Sequence, residues 1–185
     1  MQLRWIKTVA ALGIMLALGA VSFPGKPLAG PENQGSTFPE DRILEGENTV
    51  AHLYFINPKG YFLSAEERVV ENRLTPALFA KTLIEELLDG PRGSGIRCIP
   101  KDSRLLAVYV RDGLCYVDFS QEIFRGLPGS AEAEYMTVFA LVNTLCLNVQ
   151  DISSVKILIN GNEAETLGGH VDLTYPFGAD MTIIR

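Results

Sequence analysis

The sequence predicts an α+β two-layer sandwich, with two helices packed on one face of a mixed β-sheet in the order β-β-α-β-β-α-β. Two stretches repeat apolar residues at three-and-four spacing behind capping residues. Shorter stretches are rich in β-branched and aromatic residues, and Asn-Pro-Lys-Gly, Asp-Gly and Asn-Gly sit between them as turns. Each helix has a single apolar stripe and the helix-to-strand connections are short, so stacking both on one side of the sheet buries both stripes.

From Thr49 the pattern is strand-like: Val50 to Ile56 is β-branched and aromatic, and Asn57-Pro58-Lys59-Gly60 turns the chain back into a less regular strand from Tyr61 to Val70. Thr75 is placed to cap a helix with Pro76 at its first position. Leu78, Phe79, Leu83, Ile84, Leu87 and Leu88 form its stripe, and Gly90-Pro91 stops it. Leu105 to Val110 and Leu114 to Phe119 flank Asp112-Gly113, a pair that takes positive φ cheaply and so predicts a hairpin. Cys115, Val117 and Phe119 then share one face of the second strand, Tyr116 and Asp118 the other. Ser130 caps a second helix whose first turn carries Glu132 and Glu134, suited to the positive end of the helix dipole. Its stripe is Tyr135, Val138, Phe139, Val142, Leu145, Cys146 and Val149. Val155 to Ile159 is the last strand, closed by Asn160-Gly161-Asn162. The expected core therefore includes Leu83, Leu87, Val117, Phe119, Phe139, Val142 and Ile157.

Several pieces follow one another in order: DGP (Asp89 to Pro91), IP (Ile99-Pro100), VDFS (Val117 to Ser120), the helix opening at Gly129-Ser130, ILING (Ile157 to Gly161) and TLGGHVDL (Thr166 to Leu173). From about Thr49 to Phe177 this order resembles the GerMN domain, named from a spore-germination protein. The resemblance implies a small extracytoplasmic module, usually a lipoprotein or membrane-tethered, without known catalytic residues and similar in fold to ring-building domains of secretion systems. It implies a scaffold or assembly role in the cell envelope, through envelope proteins or self-association. In the family's sporulation protein that role is helping to build a channel complex between two cells. No internal repeat is visible, so the tandem duplication of that protein is not expected. Asp118, Ser120, Gly168, Gly169, His170 and Asp172 are the motif residues open to an interaction role; for Asp118 the other reading is a polar residue that closes its strand.

The chain divides into an export segment over 1–23, a Pro/Gly-rich linker over 24–47 and one domain over 48–185. Arg4 and Lys7 precede an uncharged run from Thr8 to Gly25, the n- and h-region of a signal. The run is long for an h-region and short for a spanning helix, so a cleaved signal peptide and a retained membrane anchor both stay open. Lipoproteins need a cysteine just after the h-region. The first cysteine here is Cys98, so lipid attachment at this end is not expected. The net charge of −6 gives no attraction to nucleic-acid phosphates or anionic lipid surfaces.

Three cysteines, Cys98, Cys115 and Cys146, allow at most one internal disulfide, and any such bond is expected to join Cys115 to Cys146. The other reading is three free thiols acting as small apolar residues. His170-Val171-Asp172 would set an imidazole and a carboxylate on one face of a strand, a fragment of a metal site. Yet His52 is the only other histidine and no third ligand is in view. The alternative is that Gly168-Gly169 form a tight turn and that His170 and Asp172 bond to nearby main chain. Gly90 to Gly95 is glycine-rich but follows a helix, whereas a phosphate cradle precedes one. Ser94, Ser120 and Ser130 lack the Gly-x-Ser-x-Gly elbow. Glu66-Glu67 and Glu85-Glu86 read as solvated acids. No cofactor, metal or catalytic residue is therefore expected. The alternatives to a scaffold are a small-ligand or glycan-binding envelope protein and, behind it, a hydrolase.

Overall fold

The computed structural model describes residues 47–185 apart from Tyr61, Leu74 and Pro128. The expected export segment and residues 24–46 of the expected linker lie outside the described residues. The elements run β1 (Glu47–Ile56), β2 (Leu63–Asn72), α1 (Pro76–Asp89), β3 (Leu105–Arg111), β4 (Leu114–Phe119), α2 (Ala131–Asn148), β5 (Ser154–Ile159) and β6 (Asn162–Glu163). The order is the expected one, with the two-residue β6 added by the Asn160-Gly161 turn. Both helices begin where their caps predict: Thr75 Oγ1 accepts from Leu78 N at 3.3 Å, and Ser130 Oγ from Ala133 N at 3.2 Å.

The strands fall into two sheets. β1 and β2 form an antiparallel hairpin of their own, and β3-β4-β5-β6 form a mixed sheet in which β4 and β5 run parallel. Cys115, Val117 and Phe119 of β4 stand beside Val155, Ile157 and Ile159 of β5 on its buried face. α1 packs beside β3, α2 beside β5, and the helices touch each other, which is the two-layer α+β arrangement. The seven expected core residues are all buried. Leu78, placed in the stripe of α1, is instead exposed, and Leu88 is half-buried at the edge of the core.

α2 departs furthest from a one-stripe helix. Every residue from Met136 to Leu145 is buried, because the β1-β2 hairpin lies against one flank and β5 against another. Its polar residues are accordingly paired. Thr137 Oγ1 donates to Cys98 O at 2.8 Å and Thr144 Oγ1 accepts from Tyr54 N at 3.1 Å. Two asparagines behave as lengths of strand. The Asn148 amide bonds both the N–H and the C=O of His52 (2.8 and 2.7 Å), and the Asn143 amide does the same for Asp180 (2.8 and 2.9 Å). Ile56, two residues on from Tyr54, exchanges backbone bonds with Ile96 (3.2 and 2.8 Å). Three alternate residues on the outer edge of β1 are thus closed by partners outside any sheet, which is why the hairpin does not join the second sheet.

The reading of the paired acids as solvated is corrected for Glu66 and Glu86. The Arg68 guanidinium is buried and draws both carboxylates to it, Glu66 Oε1 at 2.6 Å and Glu86 Oε2 at 2.9 Å. A buried cation cannot be left unpaired. Arg68 also donates to Glu86 O and Gly90 O at the end of α1. Glu66 in turn accepts from Arg92 N and Gly93 N at 3.1 and 2.8 Å, so the glycine-rich 90–95 loop is organised by a side chain.

Candidate functional site

The motif residues of the C-terminal third gather in a segment of irregular backbone, Ala164 to Thr174, that follows β6. His170 and Asp172 do not lie on a strand; they stand in a succession of bends. Such a segment has no ladder for its N–H and C=O groups, and those that leave water need partners from elsewhere. Two buried side chains supply them. Glu134, in the first turns of α2, is 1% exposed as a side chain. Its Oε1 accepts from Leu167 N at 2.8 Å and its Oε2 from His170 N at 2.8 Å, and the N–H groups of Gly168 and Val171 also bond to it. Burial alone would push this carboxyl up, but the four N–H groups more than offset that and hold its pKa below the ordinary value. Lys156, on β5 and also buried, donates Nζ to Leu173 O at 3.0 Å and Thr174 O at 2.5 Å. An anion therefore holds the N–H groups of the segment and a cation its carbonyls.

The other motif residues fit this clamp. Gly168 lies where a Cβ would stand 3.2 Å from Glu134 Oε2, too close for the carboxylate to keep its place unchanged. Gly169 has φ +98° and donates to Thr166 Oγ1 at 2.9 Å. The His170 ring places Nδ1 3.1 Å from Glu134 Oε2 and remains partly exposed. Asp172 Oδ1 accepts from Thr174 N at 2.8 Å, and the Thr174 hydroxyl and N–H hold its carboxyl below the usual range. Asp118 and Ser120 lie apart from this segment, at the C-terminal end of β4, and both are buried. Asp118 Oδ1 accepts from Gly161 N at 2.9 Å, fixing the turn from β5 to β6. Ser120 Oγ accepts from Arg104 N at 3.1 Å, fixing the entry to β3. Glu134 and Lys156 were not singled out from the sequence as parts of a site. The signal for Glu134 was present only as an acid in a first turn, and nothing in the sequence marked Lys156 as buried.

The two buried ionisable groups that hold the segment, Glu134 and Lys156, are committed to its backbone, and among the described residues no three His, Cys, Asp or Glu side chains converge on a common point. Burial pushes the three thiols up, Cys98 and Cys115 to about 12 and Cys146 to about 11, so they stay protonated and unreactive near neutrality. All three are free. A cavity of about 380 Å³ opens between the 97–102 loop and Glu122 to Gly126. Of its three cations, Arg97 is already bonded to the Leu88 and Asp89 carbonyls at the end of α1, leaving Lys101 and Arg125 beside Asp102 and Glu122.

A family model named Germane, described as sporulation and spore germination, matches residues 52–165. The chain belongs to this family. The Germane match spans VDFS and ILING and stops one residue before Thr166, so the clamped TLGGHVDL lies just beyond it. The fold is shared with the first GerMN domain of the sporulation protein GerM from Bacillus subtilis (20% identity, TM-score 0.53, 72% of this chain and 98% of that one). It also matches the tandem GerMN domains of the same protein (21%, TM-score 0.56, 71% and 46%), so this Germane chain corresponds to under half of the tandem pair. A candidate lipoprotein from Clostridium perfringens is similar as well (22%, TM-score 0.51, 75% and 91%). No protein of curated function matches.

Proposed function

We propose that this Germane protein is a non-catalytic, extracytoplasmic module that serves protein–protein assembly at the bacterial cell envelope in sporulation or germination. The observation that carries the reading is the fate of the chemistry at the motif: Glu134, Lys156 and Asp172 are engaged in holding backbone, and the His170 ring lies against the Glu134 carboxylate, the work of a scaffold rather than of a reaction centre. Its partners are envelope proteins or further copies of itself, and the N-terminal segment directs export and, where retained, tethers the chain to the membrane. No cofactor or metal belongs to this reading. The family description and the likeness to a sporulation protein support the setting.

A ligand- or glycan-binding reading has the cavity at Arg97 to stand on, but its walls mix both charges, and Arg97 and Glu122 already have partners within the protein. The test is twofold. Elemental analysis and hydrolase screens on the purified protein are expected to be negative, and crosslinking of the full-length protein in its own membrane is expected to capture envelope proteins. Stoichiometric transition metal, or turnover lost in His170→Ala while the fold is kept, would overturn the scaffold reading in favour of an enzyme.

A further inference from the structure

β3 is the outer strand of the four-stranded sheet, and its edge is left open where that of β1 is closed. Asp112 and Gly113 take positive φ as a two-residue turn, so Arg111 and Leu114 form the bonded pair beside it. Residues 107, 109 and 111 then bond toward β4, while Val108 and Val110 turn their N–H and C=O groups outward. No described residue bonds to them. Pairing with β4 is regular from Ala107 to Arg111; the irregularity lies before Ala107. The stretch Ala-Val-Tyr-Val is uncharged, and Tyr109 at its centre is 63% exposed on the sheet's outer face. No inward charge, proline or loop falls within it, and α1, which packs beside β3, leaves a groove along Leu105 to Tyr109.

We infer that β3 is a strand-addition site and that its occupant is β3 of a second copy, paired antiparallel about Tyr109. This deepens the assembly reading and rests on it. The register follows from the pattern. Only outward residues can bond each other, so Val108 faces Val110 of the second copy and exchanges both N–H···O bonds with it. Tyr109 meets Tyr109 in the closer, non-bonded position, and Arg111 meets Ala107. Each Arg111 side chain then lies diagonally beside the partner copy's Tyr109 ring, in reach of a cation–π contact. Arg111 is well exposed and, among the described residues, is paired only with its neighbour Asp112. The groove between β3 and α1 adds complementarity. It carries Lys81 and Glu85 one helical turn apart, an exposed pair 3.7 Å from each other that a copy running the opposite way can share, each sign against the other.

The test uses the full chain in its native membrane with single cysteines introduced at exposed positions, the native thiols being buried or half-buried and protonated. Tyr109→Cys is expected to give a disulfide-linked dimer under mild oxidation, about tenfold above Val69→Cys, an exposed position on the other hairpin. Adding Val110→Pro, which removes an outward N–H that β4 does not use, is expected to abolish the dimer. Tyr109→Lys, on the exposed face and harmless to the core, is expected to reduce dimer captured by a lysine-independent crosslinker at least about tenfold by setting like charges opposite each other. No dimer at Tyr109→Cys, or equal dimer at Val69→Cys, overturns the inference. An adduct of Tyr109→Cys with a different protein overturns self-pairing and leaves the assembly reading standing, whereas turnover or bound metal would remove that reading whatever β3 does.

Discussion

α2 and the Ala164 to Thr174 segment meet at Glu134 and are held by opposite means. α2 is immersed: ten consecutive residues, Met136 to Leu145, are buried, and Phe139 packs its ring 4.4 Å from Tyr135 and 5.7 Å from Phe177. The segment buries only Leu167 and Leu173 and keeps its shape through two charges. Apolar burial is non-directional and tolerant of pH, whereas a carboxylate accepting four N–H groups is directional and fails when it is protonated. One protein thus contains two regions that should yield to different agents.

The largest effect is expected in the helix. Phe139→Ala should cost about 3–5 kcal/mol in denaturant unfolding, by a similar amount from pH 4 to 8. A loss below about 1 kcal/mol would show that α2 does not depend on this packing. Glu134→Gln should cost about 2 kcal/mol, since an amide has one acceptor oxygen and turns a donor toward donors. Its damage should stay local, with amide protection lost from Leu167 to Val171 and kept in β4. Loss of protection across β4 as well would erase the distinction between the regions.

Acid should separate them further. The folded pKa of Glu134 is lowered, so its stabilisation is complete above the unfolded value of about 4.3 and is lost as pH falls through the folded one. Glu66, lowered too, adds to the same acid limb. The gap in melting temperature between wild type and Glu134→Gln should therefore narrow below about pH 4, while that for Phe139→Ala stays open. A gap unchanged at pH 3 would mean that the carboxylate does not carry the clamp. The smallest effect concerns the thiols. The folded protein should resist alkylation at pH 8 and react at all three cysteines once unfolded without reductant; a single reactive group would reveal the Cys115–Cys146 bond.

The same contrast decides what was legible. Caps at Thr75 and Ser130, the Asp-Gly turn and apolar spacing are local signals, and they located both helices, the second hairpin and seven core residues. The β1-β2 hairpin's separation was not legible, because it depends on Thr144 and Asn148 meeting residues 90 and 96 positions away. Nor was the clamp: Glu134 reaches a segment 33 to 36 residues on, and a glutamate in a first helical turn looks the same whether it faces water or four amides. Glu66 and Glu86 misled for a related reason, since Arg68 gives no sign in sequence of being buried. The motif glycines were visible as a turn, but the carboxylate that Gly168 makes room for was not.

The asparagine and threonine that close β1 also set an order of events. The hairpin is among the first parts of the domain to leave the ribosome, yet the groups that finish its edge sit at Thr144 and Asn148, most of the domain later. Until they arrive, a strand containing Leu53, Tyr54 and Phe55 stands with one side unfinished, and contacts that span so much chain form slowly. A newborn chain stopped anywhere before α2 is thus a fragment with a template for aggregation at its front, and holding it apart until its last third appears is a task for whatever accompanies it.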